Sequence, residues 1–490
     1  MGARSGANQS YSHVESVQQA AHTSRSKGWL RGARVQCLCA CVTIAFFLLT
    51  IVLYKVSQSL ESDEAPSPND LEKIAYRARV YSQLATEGIE EPAPQTVPLL
   101  LESTANREVV VSCYYNTPGN GESNQLLPSN VHPHLCTHIN VAFARIVNKE
   151  IYLDNSQYET LRQIVTLKNL NPKLKILLSV GGAGGDKGFP EMVVNHAARK
   201  VFIRSIKAIL KNYTLDGIDL DWEFPAMYQR SIEESGGRER QHFSQLLREI
   251  RMEYIREKHN YLLTVAVPAP ETLVDISYDV DQLNMYVDYV NIMTYDFHYY
   301  TKYTPFTGLN SPLYPRPMEQ FYLASLNINY TVHMYLNKGL DKSKIVVGIP
   351  TYGHTFMLVN PDNPSIGSPA SGFGSLGQMG FVNYPDVCMY LRGSGDGAQV
   401  VFDNATRVPY MYKDREWVSY DTPQSVMDKA NYIKEKGLRG AMIYSLNADD
   451  YEGVCQEGRW QEDSKFPLSQ SVKNTLIYNS TRESRGRSRD

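Results

Sequence analysis

The sequence predicts an α/β fold: a closed (β/α)8 barrel, the TIM-barrel architecture, with a small α+β insertion domain between strands seven and eight, preceded by an N-terminal transmembrane helix. Two patterns predict it. From residue 108 onward, short and nearly continuous apolar runs alternate with amphipathic helical stretches, which is typical of parallel strands covered by helices. Upstream, one uncharged apolar run is long enough to cross a bilayer. A doubly wound open sheet is the alternative for the alternating region.

The N-terminal 106 residues are predicted to contain a membrane anchor. Residues 1–35 are polar and basic and are predicted to form a disordered cytosolic tail, residues 36–54 a signal-anchor helix, and residues 55–106 a stalk. A cleaved signal peptide is the rival reading, although residues 55–58 offer no clear small-residue cleavage site. Basic residues precede the helix and acidic residues follow it, so the positive-inside rule predicts a single-pass type II membrane protein with a lumenal or extracellular domain, which a protease could shed.

Eight strand candidates make up the barrel, at residues 108–115, 138–146, 175–182, 217–223, 262–268, 288–295, 344–350 and 440–446. Seven of the connections have the length of a βα unit, whereas residues 351–439 are far too many for a bare loop and are rich in Gly, Pro, Ser and Tyr. We therefore expect an inserted domain at about 355–420, inside a domain of residues 107–470 that precedes a disordered polar tail, residues 471–490.

Charge and cysteine content narrow the function classes. With a net charge of −3 and a pI near 6.4, the chain has no excess of positive charge that would attract nucleic acid. The dispersed Cys113, Cys136, Cys388 and Cys455 suit disulfides in an oxidising compartment, and sequence alone allows three pairings. Downstream of the apolar run, glycosylation sequons begin at Asn212, Asn329, Asn404 and Asn479.

An acidic row on the fourth strand is the main candidate for catalysis. With a period of two, Asp219, Asp221 and Glu223 share one face, about 6.6 Å apart in succession, opposite an apolar face of Ile218, Leu220 and Trp222. Coupling between like charges raises at least one pKa and makes a general acid. A solvated strand face is the alternative, and a calcium loop lacks its Gly and closing Glu at the required offsets.

Aromatic residues and a further acid stand at the carboxyl ends of other strands, where barrels keep their active sites. They are Tyr114, Phe143, Met293, Tyr295, Asp296, Tyr352 and Tyr444. Aromatic rings cover the apolar faces of pyranose sugars while carboxylates and hydroxyls bind their polar edges, so this mixture favours a carbohydrate ligand. For Tyr114, Phe143 and Tyr352 taken individually, the pattern favours core packing over sugar binding.

The chain resembles the family 18 glycoside hydrolases, the chitinases. Their signature Asp-Gly-x-Asp-x-Asp-x-Glu is complete at Asp216, Gly217, Asp219, Asp221 and Glu223, and further matching segments are Cys-Tyr-Tyr at 113, Leu-Ser-Val-Gly-Gly at 178, Met-Thr-Tyr-Asp-Phe-His at 293 and Gly-Ile-Pro-Thr-Tyr-Gly at 348. The resemblance, over residues 108–455, implies the barrel with its insertion and the disulfide pairs Cys113 with Cys136 and Cys388 with Cys455.

The resemblance also implies a substrate and a mechanism. The substrate would be chitin or N-acetylglucosamine oligosaccharides, cleaved by substrate-assisted retaining hydrolysis. Glu223 would protonate the glycosidic oxygen, Asp221 and Tyr295 would hold the acetamido group, and Asp219 would share a proton with Asp221. The sugar site would be lined by Tyr114, Phe143, Gly182, Ala183, Phe224, Met293, Thr294, Asp296, Tyr352 and Tyr444. We expect a monomer that needs no cofactor and no metal.

The chain departs from the family pattern at several aromatic positions. Tyr444 stands where the family usually has a Trp at the end of strand eight, Ala183 replaces another, and His354 replaces a common Arg. The tryptophans usual in the loops after strands one and six are also absent from residues 116–118 and 298–301. A catalytically weak chitinase-like lectin that binds N-acetylated glycans is therefore the alternative function.

Overall fold

The structure is a computed structural model, and it describes residues 108–118, 125–227, 238–455 and 465–478. The predicted tail, membrane helix and stalk, residues 1–106, lie outside these described residues, as do most of the predicted C-terminal tail and Asn479. Within the described residues, no helix is both long and apolar enough to cross a membrane.

Eight parallel strands of the described chain close into a barrel. They are β1 (Val110–Asn116), β2 (His138–Val147), β4 (Lys175–Gly181), β5 (Gly217–Asp221), β6 (Leu262–Pro268), β7 (Tyr289–Met293), β8 (Ile345–Pro350) and β15 (Gly440–Tyr444), and β3 (Glu150–Tyr152) adds a short antiparallel hairpin to β2. Neighbouring strands pair in the order β1, β15, β8, β7, β6, β5, β4, β2, and β2 pairs back with β1. The closed (β/α)8 barrel is therefore confirmed, and the open sheet is excluded.

A second, antiparallel sheet lies between β8 and β15 in the sequence. Its six strands, all within the described residues, are β9 (Tyr352–Leu358), β10 (Ala370–Gly372), β11 (Phe381–Asn383), β12 (Gln399–Asp403), β13 (Val408–Lys413) and β14 (Glu416–Ser419). One apolar cluster, with Phe356 and Trp417, and another, with Val382 and Val418, cover its two faces. This insertion starts directly after the carboxyl end of β8, which places it at the rim where the predicted site lies.

The α-helices of the described chain follow the expected βα alternation. They are α1 (Asn155–Val165), α2 (Phe189–Val193), α3 (His196–Asn212), α4 (Glu239–Arg256), α5 (Glu271–Ser277), α6 (Val280–Tyr286), α7 (Ile328–Asn337), α8 (Tyr384–Arg392), α9 (Pro423–Lys436) and α10 (Pro467–Lys473). Their ends have local causes. A capping box at Asp154 starts α1, and α9 begins with Pro423 at its first position and ends at Gly437 in the left-handed conformation.

The strand β5 divides the core in two. Ile218, Leu220 and Trp222 point outward into the large cluster between barrel and helices, where the indole of Trp222 stacks on Phe189 with ring centroids 5.0 Å apart. Inside the barrel, a smaller cluster contains Tyr114 and Met442. The predicted alternation along the acidic strand is thus present, with Asp219 and Asp221 buried on the inner side.

The end of β5 corrects one predicted boundary. The strand was expected to reach Glu223 but ends at Asp221, which pairs with Gly181, the last residue of β4. Gly181 has φ +111, so β4 leaves the extended conformation there and offers no further pairing. Glu223 consequently lies beyond the strand, at the carboxyl-end rim.

Both predicted disulfides are present. Cys113 pairs with Cys136, 23 residues apart in sequence, and Cys388 pairs with Cys455, 67 residues apart. The first joins β1 to the segment before β2, and the second joins α8 of the insertion to the segment after β15. They confirm the pairing that the family resemblance implied.

Candidate active site

Asp219 is the innermost acid of the row and is saturated with hydrogen bonds. Oδ2 accepts from the hydroxyls of Tyr114 and Ser179, each at 2.7 Å, and Oδ1 accepts from the Thr264 hydroxyl at 2.6 Å and from Asn291 Nδ2 at 3.2 Å. Burial raises the pKa of this fully buried carboxyl, and these hydrogen bonds oppose the rise. The arrangement fixes the Asp219 side chain rigidly inside the barrel.

Asp221, two residues further along, has a free acceptor. It is 2% exposed, and its Oδ1 has no hydrogen-bond partner within the described part of the chain. Burial, followed by the charges of Glu223 and Asp219, raises its pKa well above the ordinary value. A buried carboxylate oxygen without a partner is costly unless a ligand donor completes it, so this atom is a candidate substrate contact.

Glu223, at the rim, has the properties of a proton donor. Burial raises the pKa of its carboxyl to about 7, with further contributions from the negative charges of Asp296 and Asp186. A group with this pKa is partly protonated at neutral pH and can both give and take a proton there. The carboxyls of Glu223 and Asp221 are coupled, so their titration belongs to the pair.

A cluster of tyrosines surrounds the inner acids. The ring of Tyr444 lies 5.8 Å from that of Tyr295 in a stacked arrangement and 5.6 Å from that of Tyr114. The Tyr295 hydroxyl lies 3.9 Å from the sulfur of Met442, inside the barrel. Tyr295 and Tyr444 are half-buried, so each keeps part of its surface open to solvent.

Asp296 is held by residues from the insertion and a neighbouring loop. Its Oδ1 accepts from the hydroxyl of Tyr352 at 2.6 Å and lies 2.7 Å from Nε2 of His354. Its backbone N–H donates to Asn310 Oδ1 at 2.9 Å, which fixes the backbone at a positive φ of 57°. The side chain of Asp296 is 40% exposed, so it reaches the cleft while remaining anchored.

The other predicted lining residues fall into three groups. Three residues at the mouth are half-buried, namely Phe143, Phe224 and Met293, and Ala183 is exposed. Gly182 lies against the ring of Phe143, so a Cβ added at Gly182 would lie only 2.8 Å from that ring and clash with it. Tyr114 and Tyr352 are buried, with their hydroxyls donated to carboxylates. Thr294 is fully buried and donates to the carbonyl of Gly348 at 2.6 Å, which gives it a structural role.

Sequence reasoning missed the residues that hold the acids. Ser179 and Thr264 are the register partners of Asp219 on the two neighbouring strands. Each is a polar residue inside an apolar run, and that pattern is a signal that could have identified them. Asn310 and the contact of His354 with Asp296 depend on long connections, so no local pattern indicates them.

The predicted glycosylation sites differ in exposure. Asn212, at the end of α3, and Asn404 are exposed. Asn329 is half-buried, and its side-chain oxygen accepts a hydrogen bond from Tyr432 at 3.1 Å. Glycosylation at these asparagines stays a prediction.

Comparison with known proteins decides the family. Residues 110–449 match Glycosyl hydrolases family 18. The chain belongs to this family. It is 36% identical to mouse (Mus musculus) Chitotriosidase-1 over 372 residues, which are 72% of this chain and 75% of that protein. It is 35% identical to human (Homo sapiens) Chitinase-3-like protein 2 over 392 residues, 77% of this chain and 95% of that protein.

A solved structure of a family 18 relative has the same fold. It is that of human YKL-39, described as a pseudo-chitinase with retained chitooligosaccharide binding properties. The TM-score is 0.68 at 34% identity, and the match covers 75% of this chain and 100% of that one. The family therefore contains proteins named as chitinases and at least one named as a pseudo-chitinase.

The relatives correct the predicted localisation. The match to Chitinase-3-like protein 2 accounts for 95% of that protein, which leaves almost no room in it for a preceding membrane helix and stalk. The prediction of a type II membrane protein was wrong by this comparison.

Proposed function

We propose that this protein is a chitinase-type glycosidase that hydrolyses the β-1,4 bonds between N-acetylglucosamine units by substrate-assisted retaining catalysis. The observation that supports it most directly is the acidic row at the end of β5, in which three carboxyls have three different environments. The family relationship, including 36% identity to Chitotriosidase-1, supports the same reaction.

Glu223 would act as the acid and then as the base. Its pKa of about 7 leaves a proton available at neutral pH. That proton moves to the glycosidic oxygen as the bond from this oxygen to the anomeric carbon breaks, and the electron pair leaves with the oxygen. In the second step, Glu223 accepts a proton from the water that attacks the anomeric carbon, and the bond that this carbon has formed with the acetamido oxygen breaks, which restores the starting state.

Asp221 and Tyr295 would position the internal nucleophile. The unpartnered Oδ1 of Asp221 can accept the N–H of the substrate's acetamido group. This contact turns the acetamido carbonyl oxygen toward the anomeric carbon, to which it bonds to form an oxazolinium ion. The positive charge of that ion favours the ionised form of Asp221, which would share its proton with Asp219 and stabilise the cation. The Tyr295 hydroxyl would donate to the acetamido oxygen.

Asp219 would act through Asp221. Four hydrogen bonds hold it away from the rim, so it has no route to the substrate. Its charge nevertheless raises the pKa of Asp221. The protonation of Asp221 therefore depends on the charge of Asp219. The proposal includes the sharing of one proton between these two carboxyls, as the family resemblance implies.

A carbohydrate-binding protein with little turnover is the second candidate. Tyr444 favours this candidate, because it stands at the end of β15 where the family usually has a tryptophan. Its ring packs among those of Tyr114, Tyr295 and Tyr352. A smaller ring packed against neighbours offers less surface to a sugar than an open indole. The pseudo-chitinase description of YKL-39 shows that the family fold accommodates binding alone.

An oligosaccharide assay tests the proposal. The wild type is expected to release products from N-acetylglucosamine tetramers and hexamers, and Glu223→Gln should lower the rate at least about a hundred-fold, the usual contribution of a general acid. Glu253→Gln, on the outer surface of α4, is the control. A correctly folded wild type that releases no product over a broad pH range would overturn the enzyme proposal and leave the binding protein.

A further inference from the structure

The backbone of Tyr295 lies beyond the end of the strand that precedes it. β7 ends at Met293, and its pairing with β8 ends one residue earlier, at Ile292. A hydroxyl that has to meet a reacting group needs a fixed backbone behind it, because a misplacement of about 1 Å can cost about a hundred-fold in rate. The peptide groups on the two sides of Tyr295 therefore need partners outside the barrel sheet.

Two adjacent residues of the connection between β7 and α7 hold these peptide groups. The hydroxyl of Ser311 donates to the carbonyl of Thr294, just before Tyr295, at 2.7 Å. The N–H of Asp296, just after Tyr295, donates to Asn310 Oδ1 at 2.9 Å. We name Asn310 and Ser311 the Tyr295 bracket. Both residues are buried, so water is largely excluded from these hydrogen bonds.

The insertion fixes the orientation of the Asn310 amide. Asn310 Nδ2 donates to the carbonyl of Tyr352 in β9 at 3.0 Å, and its backbone N–H donates to the hydroxyl of Ser419 in β14 at 2.8 Å. An amide side chain has a donor end and an acceptor end. Because the donor end is used by Tyr352, the acceptor end faces the N–H of Asp296.

A buried ion pair fixes the direction of the Ser311 hydroxyl. Lys429 Nζ, on α9, donates to both carboxylate oxygens of Asp421 at 2.7 Å and to Ser311 Oγ at 3.0 Å. An ammonium group has three donors and no acceptor, and these contacts use all three. Ser311 Oγ therefore accepts from Lys429, which leaves the Ser311 proton for the carbonyl of Thr294.

The buried pair of Lys429 and Asp421 is weak evidence for stability, because well-packed apolar residues of similar volume often replace such a pair without loss. Apolar residues cannot direct a hydroxyl, whereas this pair does. Asp421 lies between β14 and α9, and Lys429 reaches from α9 to the connection after β7. The pair and Ser311 thus form a chain of contacts that ends at the peptide group before Tyr295.

We propose that Asn310 and Ser311 are positioning residues of the hydrolytic reaction and that Lys429 acts through Ser311. They keep the Tyr295 hydroxyl where it donates to the acetamido oxygen as this oxygen bonds to the anomeric carbon. This inference rests on the proposed function, because it concerns the same reaction. The bracket is buried and acts on the backbone of Tyr295, so its loss should slow the chemical step more than it weakens sugar binding.

A double-mutant cycle in the full-length protein tests the bracket. With the N-acetylglucosamine tetramer as substrate, Ser311→Ala should lower kcat about ten-fold and change KM less than about two-fold. In a Tyr295→Phe background, which lacks the hydroxyl to be positioned, the same change should lower kcat less than about two-fold. Ser469→Ala is the matched control, because the buried Ser469 hydroxyl on α10 donates to Asp449 Oδ2 at 2.6 Å, and kcat should not change.

A second variant separates positioning from stability. Lys429→Met combined with Asp421→Leu removes both buried charges and should recover most of the unfolding free energy that Lys429→Met alone loses. Its kcat should nevertheless stay at least about three-fold below that of the wild type, because the Ser311 hydroxyl has lost the donor that directs it. Recovery of kcat together with stability would give the ion pair a purely structural role and overturn its part in the inference.

The failure of this inference and the failure of the proposed function give different results. Equal losses of kcat in the two backgrounds of the cycle, or a loss in Ser311→Ala no larger than in Ser469→Ala, would overturn the bracket while the turnover of the wild type upholds the proposed function. A folded wild type without turnover would overturn the proposed function, and the bracket with it. If Ser311→Ala does not fold, kcat of the Lys429 and Asp421 double variant decides the inference.

Discussion

Replacing the proposed acid should make the fold more stable. The carboxyl of Glu223 has an ordinary pKa of 4.5, which the folded structure raises to about 7. Below pH 4.5 the folded and unfolded states are both protonated, and no cost arises. As pH rises through 7, the folded state must carry a charge that burial disfavours, and stability is lost. At 1.36 kcal/mol per pH unit, the rise from 4.5 to about 7 corresponds to about 3 kcal/mol, which belongs to the pair because Glu223 and Asp221 titrate together.

The test is urea unfolding of wild type and Glu223→Gln at pH 4.5 and pH 8. We expect the variant to be more stable by about 3 kcal/mol at pH 8 and nearly equal to wild type at pH 4.5. Glu253→Gln is a control of opposite sign, because Arg256 first and then Lys207 lower the pKa of Glu253 to about 2. That variant should lose stability at pH 8, by about 1 kcal/mol after solvent screening.

One result would refute the reasoning. If Glu223→Gln were less stable than wild type at pH 8, or gained the same amount at both pH values, the Glu223 carboxyl would not carry a raised pKa in the fold. The physical basis for naming it the proton donor would then be gone, whatever the variant did to activity.

Three further predictions concern the supports of the site. Asp219→Ala should lower the free energy of unfolding in urea by about 4 kcal/mol, at about 1 kcal/mol for each of the four donors left without a partner. Asp219→Asn should cost at most half of this, because the neighbouring hydroxyls can rotate and accept from the new amide. Equal losses in the two variants would contradict this reasoning. Asp296→Asn removes a charge that raises the pKa of Glu223, so the basic limb of the kcat/KM profile should move to lower pH, and an unmoved limb would contradict the coupling. Lys429→Met leaves the buried Asp421 unpaired and should cost about 3–5 kcal/mol in thermal or urea unfolding, with most of it recovered in the double variant with Asp421→Leu.

The strands were predictable because each is a short apolar run between polar segments. β6 has the predicted ends, residues 262–268, and the other barrel strands differ from the predicted bounds by one or two residues at one or both ends. β5 was drawn two residues too long because its alternation continues to Glu223, but pairing depends on the neighbouring strand, which turns away at Gly181. A single strand's pattern contains no information about where its neighbour ends.

The acids themselves were identifiable from sequence, and their environments were not. The period of two places Asp219, Asp221 and Glu223 on one side of a strand without reference to any other segment. The partners that distinguish them come from other strands and loops, such as Thr264 on β6 or Asn310 in the long connection after β7. Long-range register and loop conformation determine these contacts, so neither can be deduced from local patterns.

The gradient along the acidic row explains how one strand and the residues directly after it can serve three purposes. Hydrogen bonding to the carboxyls falls from four donors at Asp219 to an unpartnered oxygen at Asp221 within the described chain, while proximity to the rim increases toward Glu223. A well-bonded carboxylate is held in place, a partly bonded one can bind a ligand donor, and a buried one near other acids keeps its proton. A protein that only bound sugar would have no use for the raised pKa of Glu223, and its fold would be more stable with an uncharged side chain there. A stability cost of Glu223 measured in the unfolding test would therefore support catalysis without reference to the aromatic residues that the cleft lacks.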